Sequence, residues 1–301
     1  MNKNSVKPAK ILLTTDFSES ASCAFPYALG LAKRHNSELV ILHVIAGDSE
    51  YVKDREVFQS YQRISKEKAF AQLASIEFAG SEDIQFRREI ATGWSAKDGI
   101  IGFAKAEKPD LIIISTRGHG VVGRFFLGSV ARSVTAEAPC PVLCVKCDEL
   151  GMLDEKKVEI QIARIMVPVD LSEESRVALK LAVEYAKAYQ AQLHLMYVVH
   201  VDIPETILSD DAKGFFELDE KLHSHIYTRL QEFHREVDPG VEKVVTLVEK
   251  GSPAKQIARY AESHAVDMIL LSRKGLGRTP HTLGGVVGSL LHEAHCPTLV
   301  I

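Results

Sequence analysis

The chain is one sequence unit written twice, and this internal repeat constrains the fold more than any other feature. The segment KILLTTDFSES of the first copy corresponds to RIMVPVDLSEE of the second, so that Asp16 aligns with Asp170. In the middle of the copies, 91–115 corresponds to 248–272, and near their ends APCPVLCV corresponds to AHCPTLVI. The separation of aligned residues hardly changes along the repeat, which predicts two copies of one domain.

The length of the chain agrees with this organisation. A chain of 301 residues is long enough for about two domains, each able to bury its own core. The alignment places these domains at 1–148 and 160–301. The polar, acidic segment 147–161 forms the seam between them.

Each copy alternates short apolar runs with helical patterns. In the first copy, the runs that we interpret as strands are 11–14, 39–44, 84–89, 111–115 and 142–145. The segments with the apolar spacing of helices are 18–35, 52–79 and 96–107. Ser18, Ser95 and Ser172 precede helical patterns as suitable N-caps. Mostly continuous apolar runs are typical of strands covered on both faces. The pattern therefore predicts an α/β protein with two tandem, doubly wound, five-stranded parallel-sheet domains.

The bulk composition argues against several classes of protein. A formal net charge of −4 gives no electrostatic reason to expect nucleic acid as a partner. No apolar stretch approaches the ~20 residues that span a membrane, and the N-terminal segment lacks the apolar region of a signal peptide. The five cysteines are an odd number, which argues against a disulfide framework. We therefore expect a cytoplasmic protein with no membrane partner.

The glycine-rich segment STRGHGVVGRFFLGSV (115–130) follows the fourth apolar run. Its Gly118, Gly120 and Gly123 match the Gly-x-Gly-x-x-Gly fingerprint of dinucleotide-binding proteins. That fingerprint belongs after the first strand, with an acidic residue about 20 positions later at the end of the second strand. Neither condition holds here, and the chain has no Gly-Lys-Ser/Thr for a P-loop. The segment therefore favours neither an NAD enzyme nor a P-loop protein.

The wider spacing of this segment resembles the nucleotide signature of the universal stress protein family. Ser115 is followed after two residues by Gly118 and, after nine more, by Gly128-Ser129. The family has Gly-x2-Gly-x9-Gly-Ser/Thr after its fourth strand and an Asp at the end of its first, the position of Asp16. The resemblance covers both copies and departs from the pattern at Ser115. It implies a tandem member with the adenine nucleotide α-hydrolase-like fold and the strand order 3-2-1-4-5.

The resemblance implies ATP or ADP, with or without Mg²⁺, in the crevice between strands 1 and 4 of the first copy, where ligands of open α/β sheets bind. Glycines there let the backbone approach phosphates, and the first N–H groups of the following helix favour an anion. Asp16 would line the base and sugar, and the backbone of Val44 would meet the adenine. The predicted binding residues are Thr14, Thr15, Asp16, Val44, Ser115, Arg117, Gly118, Gly128, Ser129 and Val130.

Each of these features also has a purely structural interpretation. Asp16 before a serine fits a helix-capping turn, Gly128-Ser129 fits an ordinary helix start, and the glycines fit a surface loop. Arg117 and Arg124 fit solvated side chains. The occurrence of all these features at one crevice favours a binding site.

The second copy keeps Asp170 but has a broken version of the signature. When the copies are aligned through their Cys-Pro pairs, Gly284-Gly285 takes the place of the Gly-Ser pair. An alternative alignment uses Gly288-Ser289 and requires a longer spacer. In either case we expect the second domain to bind nucleotide weakly, differently or not at all.

Three clusters invite a metal-site interpretation, but we favour structural residues for the first and third and surface histidines for the second. They are Cys140-x3-Cys144-x2-Cys147, His223-x-His225 and His292-x2-His295-Cys296. We interpret Trp94 as a loop or interface aromatic rather than a ligand-stacking one.

The resemblance implies a nucleotide-binding stress-response protein with a regulatory or protective role and unknown protein partners. No general base or nucleophile is evident beside the glycine segment, so little or no turnover is expected. Two other functions stay open: a slow ATPase or nucleotidyl-transfer enzyme, and a ligand-free protein-interaction scaffold. The resemblance also implies that the two fifth strands face each other, which would make one chain a pseudo-dimer, and it leaves a homodimer open.

Overall fold

The computed structural model describes residues 6–47, 55–76, 84–116, 127–146, 160–200, 212–238, 240, 243–275 and 283–301. The chain divides into two compact domains, the first mainly Met1–Ile160 and the second mainly Gln161–Pro280 with Gly284–Thr298. None of the helices in the described ranges combines the length and the apolar character needed to cross a membrane.

The N-terminal domain has a parallel sheet covered by helices. Its strands are β1 (Lys10–Thr14), β2 (Glu38–Ala46), β3 (Phe86–Gly93), β4 (Leu111–Ser115) and β5 (Val142–Val145). Its helices are α1 (Glu19–Ser22), α2 (Phe25–His35), α3 (Arg55–Ala74), α4 (Ala96–Glu107) and α5 (Ser129–Glu137). The strands lie in the order β3-β2-β1-β4-β5 and all their pairings are parallel. This confirms the doubly wound fold and the strand order 3-2-1-4-5.

The C-terminal domain repeats this arrangement. Its strands are β6 (Arg164–Pro168), β7 (Gln192–Val199), β8 (Val244–Lys250), β9 (Met268–Leu271) and β10 (Thr298–Val300). Its helices in the described ranges are α6 (Glu173–Tyr189), α7 (Ala212–Val237), α8 (Pro253–Ser263) and α9 (Gly285–Glu293). The strand order β8-β7-β6-β9-β10 is that of the first domain.

The centre of the first sheet explains the apolar runs in the sequence. Leu12 of β1 lies opposite Ile112 of β4, and Ile11, Leu13 and Ile113 are completely buried. Because helices cover both faces of the sheet, successive side chains on these strands all enter apolar surroundings. The order of the strands also reverses between β1 and β4, which opens a crevice at their carboxyl ends.

Two of the predicted elements differ from the structure for reasons that the sequence explains. The predicted helix 18–35 is two helices, because α1 ends at Ser22 and α2 restarts with Pro26 in its first turn. Proline lacks the N–H that would continue a helix and suits a helix start. The third strand is shifted from 84–89 to Phe86–Gly93. This strand lies at the edge of the sheet and is only half-buried. Because it contains polar residues, the apolar pattern does not mark where it begins and ends.

The predicted helix caps are confirmed. The hydroxyl oxygens of Ser18, Ser95 and Ser172 accept hydrogen bonds from backbone N–H groups in the first turns of α1, α4 and α6. Each therefore satisfies an N–H group that has no partner within its helix.

One of the described cysteines is in a disulfide bond, although the odd number of cysteines argued against a disulfide framework. Cys23 is disulfide-bonded, whereas Cys140, Cys144 and Cys296 are free. Cys140 and Cys144 are buried, and the Cys144 Sγ lies 3.2 Å from the Thr135 Oγ1. This packing agrees with a structural role for that pair.

Candidate functional site

A cavity of about 220 Å³ lies at the carboxyl ends of β1, β2 and β4 in the N-terminal domain. The starts of α4 and α5 complete its wall. Its lining comprises Thr14, Thr15, Asp16, Ala21, Leu42, His43, Val44, Ala96, Ile100, Ile114, Ser115, Gly128, Ser129, Val130 and Ala131. This is the crevice that the reversal of strand order between β1 and β4 creates.

The predicted binding residues that the structure describes all line this one cavity. They are Thr14, Thr15, Asp16, Val44, Ser115, Gly128, Ser129 and Val130. The remaining two, Arg117 and Gly118, lie outside the described residues, as do Gly120, Gly123 and Arg124. The fold therefore brings together residues from distant parts of the sequence. Their role in binding stays a prediction.

The carboxylate of Asp16 is held in a tight turn directly after β1. Its Oδ1 accepts hydrogen bonds from the Ser18 N–H at 3.0 Å and from the Ser18 hydroxyl at 2.6 Å. Phe17, between them, has a φ of 65°, which is an uncommon conformation for a bulky residue. The turn thus fixes the orientation of the half-buried carboxylate at the rim of the cavity.

The end of β1 is tied to β2 beside this turn. The Thr15 N–H donates to the Leu42 carbonyl at 2.9 Å, and the Thr15 carbonyl lies 2.9 Å from the His43 Nδ1. A carbonyl oxygen only accepts, so the His43 Nδ1 carries the proton in this hydrogen bond. The His43 ring also packs on Phe17, with 4.3 Å between ring centroids. These contacts stabilise the turn that presents Asp16.

The N-terminus of α5 faces the cavity without a side-chain cap. Gly128 is the N-cap, and its N–H donates to the Thr116 carbonyl at 2.8 Å. A Cβ at Gly128 would lie 3.3 Å from that carbonyl oxygen, so a side chain here would be crowded. Ser129 is the first helical residue rather than the cap. The first N–H groups of a helix have no intrahelical partner and carry positive partial charge, which favours an anion.

Several residues of the cavity wall were not predicted from the sequence. Ala96 and Ile100 of α4 line it, and Leu42 and His43 precede Val44 along β2. The signal for the first pair is their i, i+4 spacing directly after the Ser95 cap, which places both on one face of the helix. Apart from this spacing, apolar residues in a helix that packs on a sheet do not indicate a binding site.

The C-terminal domain has a cavity of about 320 Å³ in the corresponding position. Helix α9 begins at Gly285 with Gly284 as its N-cap, just as α5 begins at Ser129 after Gly128. The structure thus favours the alignment of Gly284-Gly285 with the Gly-Ser pair, and it places Gly288 inside α9.

The two cavities differ in their polar groups. Pro168 and Val169 replace Thr14 and Thr15, and Gly285 replaces Ser129, so the second cavity lacks these three hydroxyl groups. Its lining has Ser175, Tyr197 and Lys274 instead. The carboxylate of Asp170 keeps its turn through Ser172 and lies close to the backbone of Gly275, in the loop after β9. A Cβ at Gly275 would lie only 2.3 Å from the Asp170 Oδ2. The second cavity is therefore larger and presents a different set of polar groups to a ligand.

The clusters with metal-like spacing gain no support as metal sites. Cys147 lies outside the described residues, and His295 is exposed and pairs with Glu262 at 3.4 Å. In the described ranges, no group of three His, Cys, Asp or Glu side chains could hold a metal ion. Trp94 is 72% exposed and does not line the cavity of its domain.

Comparisons with known proteins agree on one family. The model of the universal stress protein family matches residues 8–146 and 161–301. A protein of Staphylococcus aureus strain USA300, described as a universal stress protein, is 36% identical over 146 residues, which are 46% of this chain and 85% of that protein.

Solved structures show the same architecture over nearly the whole chain. A universal stress protein from Archaeoglobus fulgidus superposes with a TM-score of 0.63 at 20% identity, covering 97% of this chain and 95% of that one. One from Pseudomonas aeruginosa UCBPP-PA14 gives a TM-score of 0.63 at 18% identity, covering 98% and 93%. At this level of identity the likeness shows the fold.

Proposed function

The chain belongs to the universal stress protein family and carries two copies of its domain, and on that premise we propose that the N-terminal domain binds ATP or ADP. One observation carries the proposal. Residues from β1, β2, β4 and α5, chosen from the sequence because they match the family's nucleotide signature, line a single cavity. A chance combination of a capping turn and a helix start would not require that convergence.

The cavity suits the nucleoside part of such a ligand. Leu42, Ile100 and Ile114 provide apolar walls for a base. The Asp16 carboxylate, oriented by Ser18, is an acceptor for the hydroxyl groups of a sugar. A volume of about 220 Å³ is small beside the roughly 300–1,000 Å³ of typical ligand pockets. The proposal therefore assigns base and sugar to the cavity and the phosphates to its mouth.

The start of α5 suits the phosphates. The first-turn N–H groups of this helix and the exposed hydroxyl of Ser129 are donors at the edge of the cavity. The first turn of α5 contains no acidic residue that would repel an anion. Since the described residues offer no cluster for a metal ion, any Mg²⁺ would bind together with the phosphates of the nucleotide.

The role that fits these features is nucleotide-dependent regulation or protection under stress, with little or no turnover. Family membership supports this role, and protein partners would recognise the nucleotide-bound surface. Phosphate release by the purified protein measures turnover directly and separates this proposal from a slow ATPase.

The proposal is tested by mass spectrometry of small molecules released from the purified, denatured protein, followed by calorimetric titration with ATP and ADP. The variant Gly128→Val crowds the Thr116 carbonyl and the mouth of the cavity, and we expect it to abolish binding. Its matched control is Gly284→Val, which makes the same change at the same position of the second domain, where a Cβ would lie 3.4 Å from the Arg273 carbonyl oxygen. The control should bind nucleotide as the wild type does.

Two results would contradict the proposal. The first is the absence of adenine nucleotide after purification together with the absence of heat on titration. The second is unchanged binding by Gly128→Val in a protein whose circular dichroism is that of the wild type.

A further inference from the structure

We propose that Gly99 of α4 is a positioning residue for the adenine end of the cavity and that it acts through Val44 of β2. The inference rests on the proposed function, in which the backbone of Val44 meets the base. Gly99 itself does not line the cavity. It is buried in the first turns of α4, where the helix crosses the end of β2.

The side chain of Val44 occupies the space that a side chain at position 99 would need. A Cβ built on Gly99 would lie 2.3 Å from the Val44 Cγ1, 3.1 Å from its Cγ2 and 3.3 Å from its Cβ. Real Cβ atoms essentially never approach other heavy atoms within 3.0 Å. Only glycine therefore permits α4 to lie this close to Val44.

Rotation of the valine side chain relieves this contact only in part. Turning χ1 can bring the Cβ hydrogen to the position of Cγ1, but a γ carbon then still occupies the position of Cγ2, 3.1 Å from the added atom. The Val44 Cβ, which χ1 does not move, is itself within 3.3 Å of the added atom. A side chain at position 99 must therefore displace either the backbone of β2 or the helix.

Both displacements change the cavity. Ala96 and Ile100, on either side of Gly99 in α4, line the cavity, and so does Val44. The helix is also held by a second close contact, because a Cβ at Gly93 would lie 2.6 Å from the Gly99 backbone nitrogen. On its other side, Val44 is paired in register with Ala91 of β3. The interlock of Gly99 with Val44 thus fixes the distance between the two walls that would enclose the base.

The second domain is built differently at this point. The sequence alignment places Gln256 where the first domain has Gly99, and Val198 where it has Val44. The Gln256 side chain lies towards Gly251, where a Cβ would be 3.1 Å from its Nε2. Helix α8 therefore accommodates a long side chain, and the cavity beside it is about 320 Å³ rather than about 220 Å³.

The experiment compares Gly99→Ala with Gly102→Ala, a matched control in the same helix where an added Cβ meets nothing within 4 Å. ATP affinity is measured by calorimetry and folding by thermal unfolding. Gly99→Ala should weaken ATP binding by about tenfold or more, since overpacking typically costs enough free energy for such a change. Gly102→Ala should bind as the wild type does.

A second variant identifies the route through Val44. Val44→Ala removes both γ carbons that crowd position 99, so the double variant Val44→Ala/Gly99→Ala should bind ATP more tightly than Gly99→Ala alone. The same comparison decides the case if Gly99→Ala fails to fold, because the double variant should then recover both the fold and ATP binding.

The outcomes separate this inference from the proposed function. If the wild type and Gly102→Ala bind ATP and Gly99→Ala binds equally well, the positioning role is wrong while the binding site stands. A double variant no better than Gly99→Ala also overturns it. If the wild type itself does not bind ATP, the proposed function is overturned and this inference falls with it.

Discussion

Replacement of Asp16 by Asn and by Ala should separate the structural contribution of this residue from its contribution to binding. The Oδ1 of Asp16 accepts two hydrogen bonds from Ser18, at 3.0 Å and 2.6 Å, within the turn that precedes α1. Asp16→Asn keeps an amide oxygen in place of that acceptor, but it removes the charge and replaces the other oxygen with an NH2 donor. Asp16→Ala removes the acceptor as well.

The expected magnitudes follow from the turn. Each hydrogen bond contributes about 0.5–1.5 kcal/mol net, so Asp16→Ala removes about 1–3 kcal/mol from the free energy of unfolding. The strained backbone of Phe17, held at φ 65°, returns part of this when the turn relaxes, because such strain costs of order 1 kcal/mol. We expect a net loss of about 1–2 kcal/mol for Asp16→Ala and less than about 1 kcal/mol for Asp16→Asn.

The two variants should differ in stability but should lose ATP affinity to a similar extent. Hydrogen bonds from sugar hydroxyls to a carboxylate are stronger than those to a neutral amide, so both variants should lose about tenfold or more in affinity. Urea unfolding followed by circular dichroism measures stability, and calorimetric titration measures affinity. Asp170→Asn makes the matched change in the equivalent turn of the second domain, and it should leave the affinity unchanged.

Two results would refute this reasoning. If Asp16→Asn binds ATP as tightly as the wild type, Asp16 serves only the capping turn, which is the structural alternative that the sequence leaves open. If Asp16→Ala is as stable as the wild type, the two hydrogen bonds to Ser18 do not stabilise the turn.

Two further predictions concern stability alone. Ser95→Ala removes the oxygen that accepts from the Asp98 N–H at 3.2 Å and should lower the free energy of unfolding by about 1 kcal/mol; a variant as stable as the wild type in urea would contradict this. Burial, together with the nearby His264 and Arg164, lowers the pKa of His194 from its ordinary 6.5. Below pH 6.5, His194 is therefore protonated in the unfolded chain while it stays neutral in the folded chain. The C-terminal domain should therefore lose stability as the pH falls from about 6.5 towards the lowered pKa, and His194→Gln should reduce this loss; an unchanged pH dependence of the melting temperature would refute the assignment.

Much of the fold could be predicted from the sequence because both faces of the central strands are buried. The predicted bounds of β4, β5 and α4 are those of the structure. In the two strands the apolar run has the same first and last residues as the strand, and in α4 the amphipathic pattern starts directly after the capping serine. Prediction failed where burial is partial. The edge strand β3 carries Arg87, Arg88 and Glu89 in its first half, so hydrophobicity did not mark its extent. The break between α1 and α2 was missed because the helical apolar spacing continues across it.

The part of the candidate site that could be predicted consists of residues that belong to short sequence motifs. Asp16 stands out because the repeat presents it twice, and Gly128-Ser129 stands out by its spacing. The role of Gly99 could not be predicted, because it depends on the distance between a helix and a strand that are far apart in the sequence. The choice between the two alignments of the second glycine segment likewise depended on where α9 begins.

The left-handed backbone after the aspartate occurs in both domains, at Phe17 with a φ of 65° and at Leu171 with a φ of 63°. The second cavity keeps this costly geometry although it has lost three of the hydroxyl groups of the first. The unusual angle therefore belongs to the path by which the chain leaves the first strand and enters the covering helix. The backbone angle is therefore nearly the same in both domains, and the difference between them lies in the side chains that line the two cavities. In a duplicated protein, the positions at which the copies disagree are the better guide to how their uses have diverged.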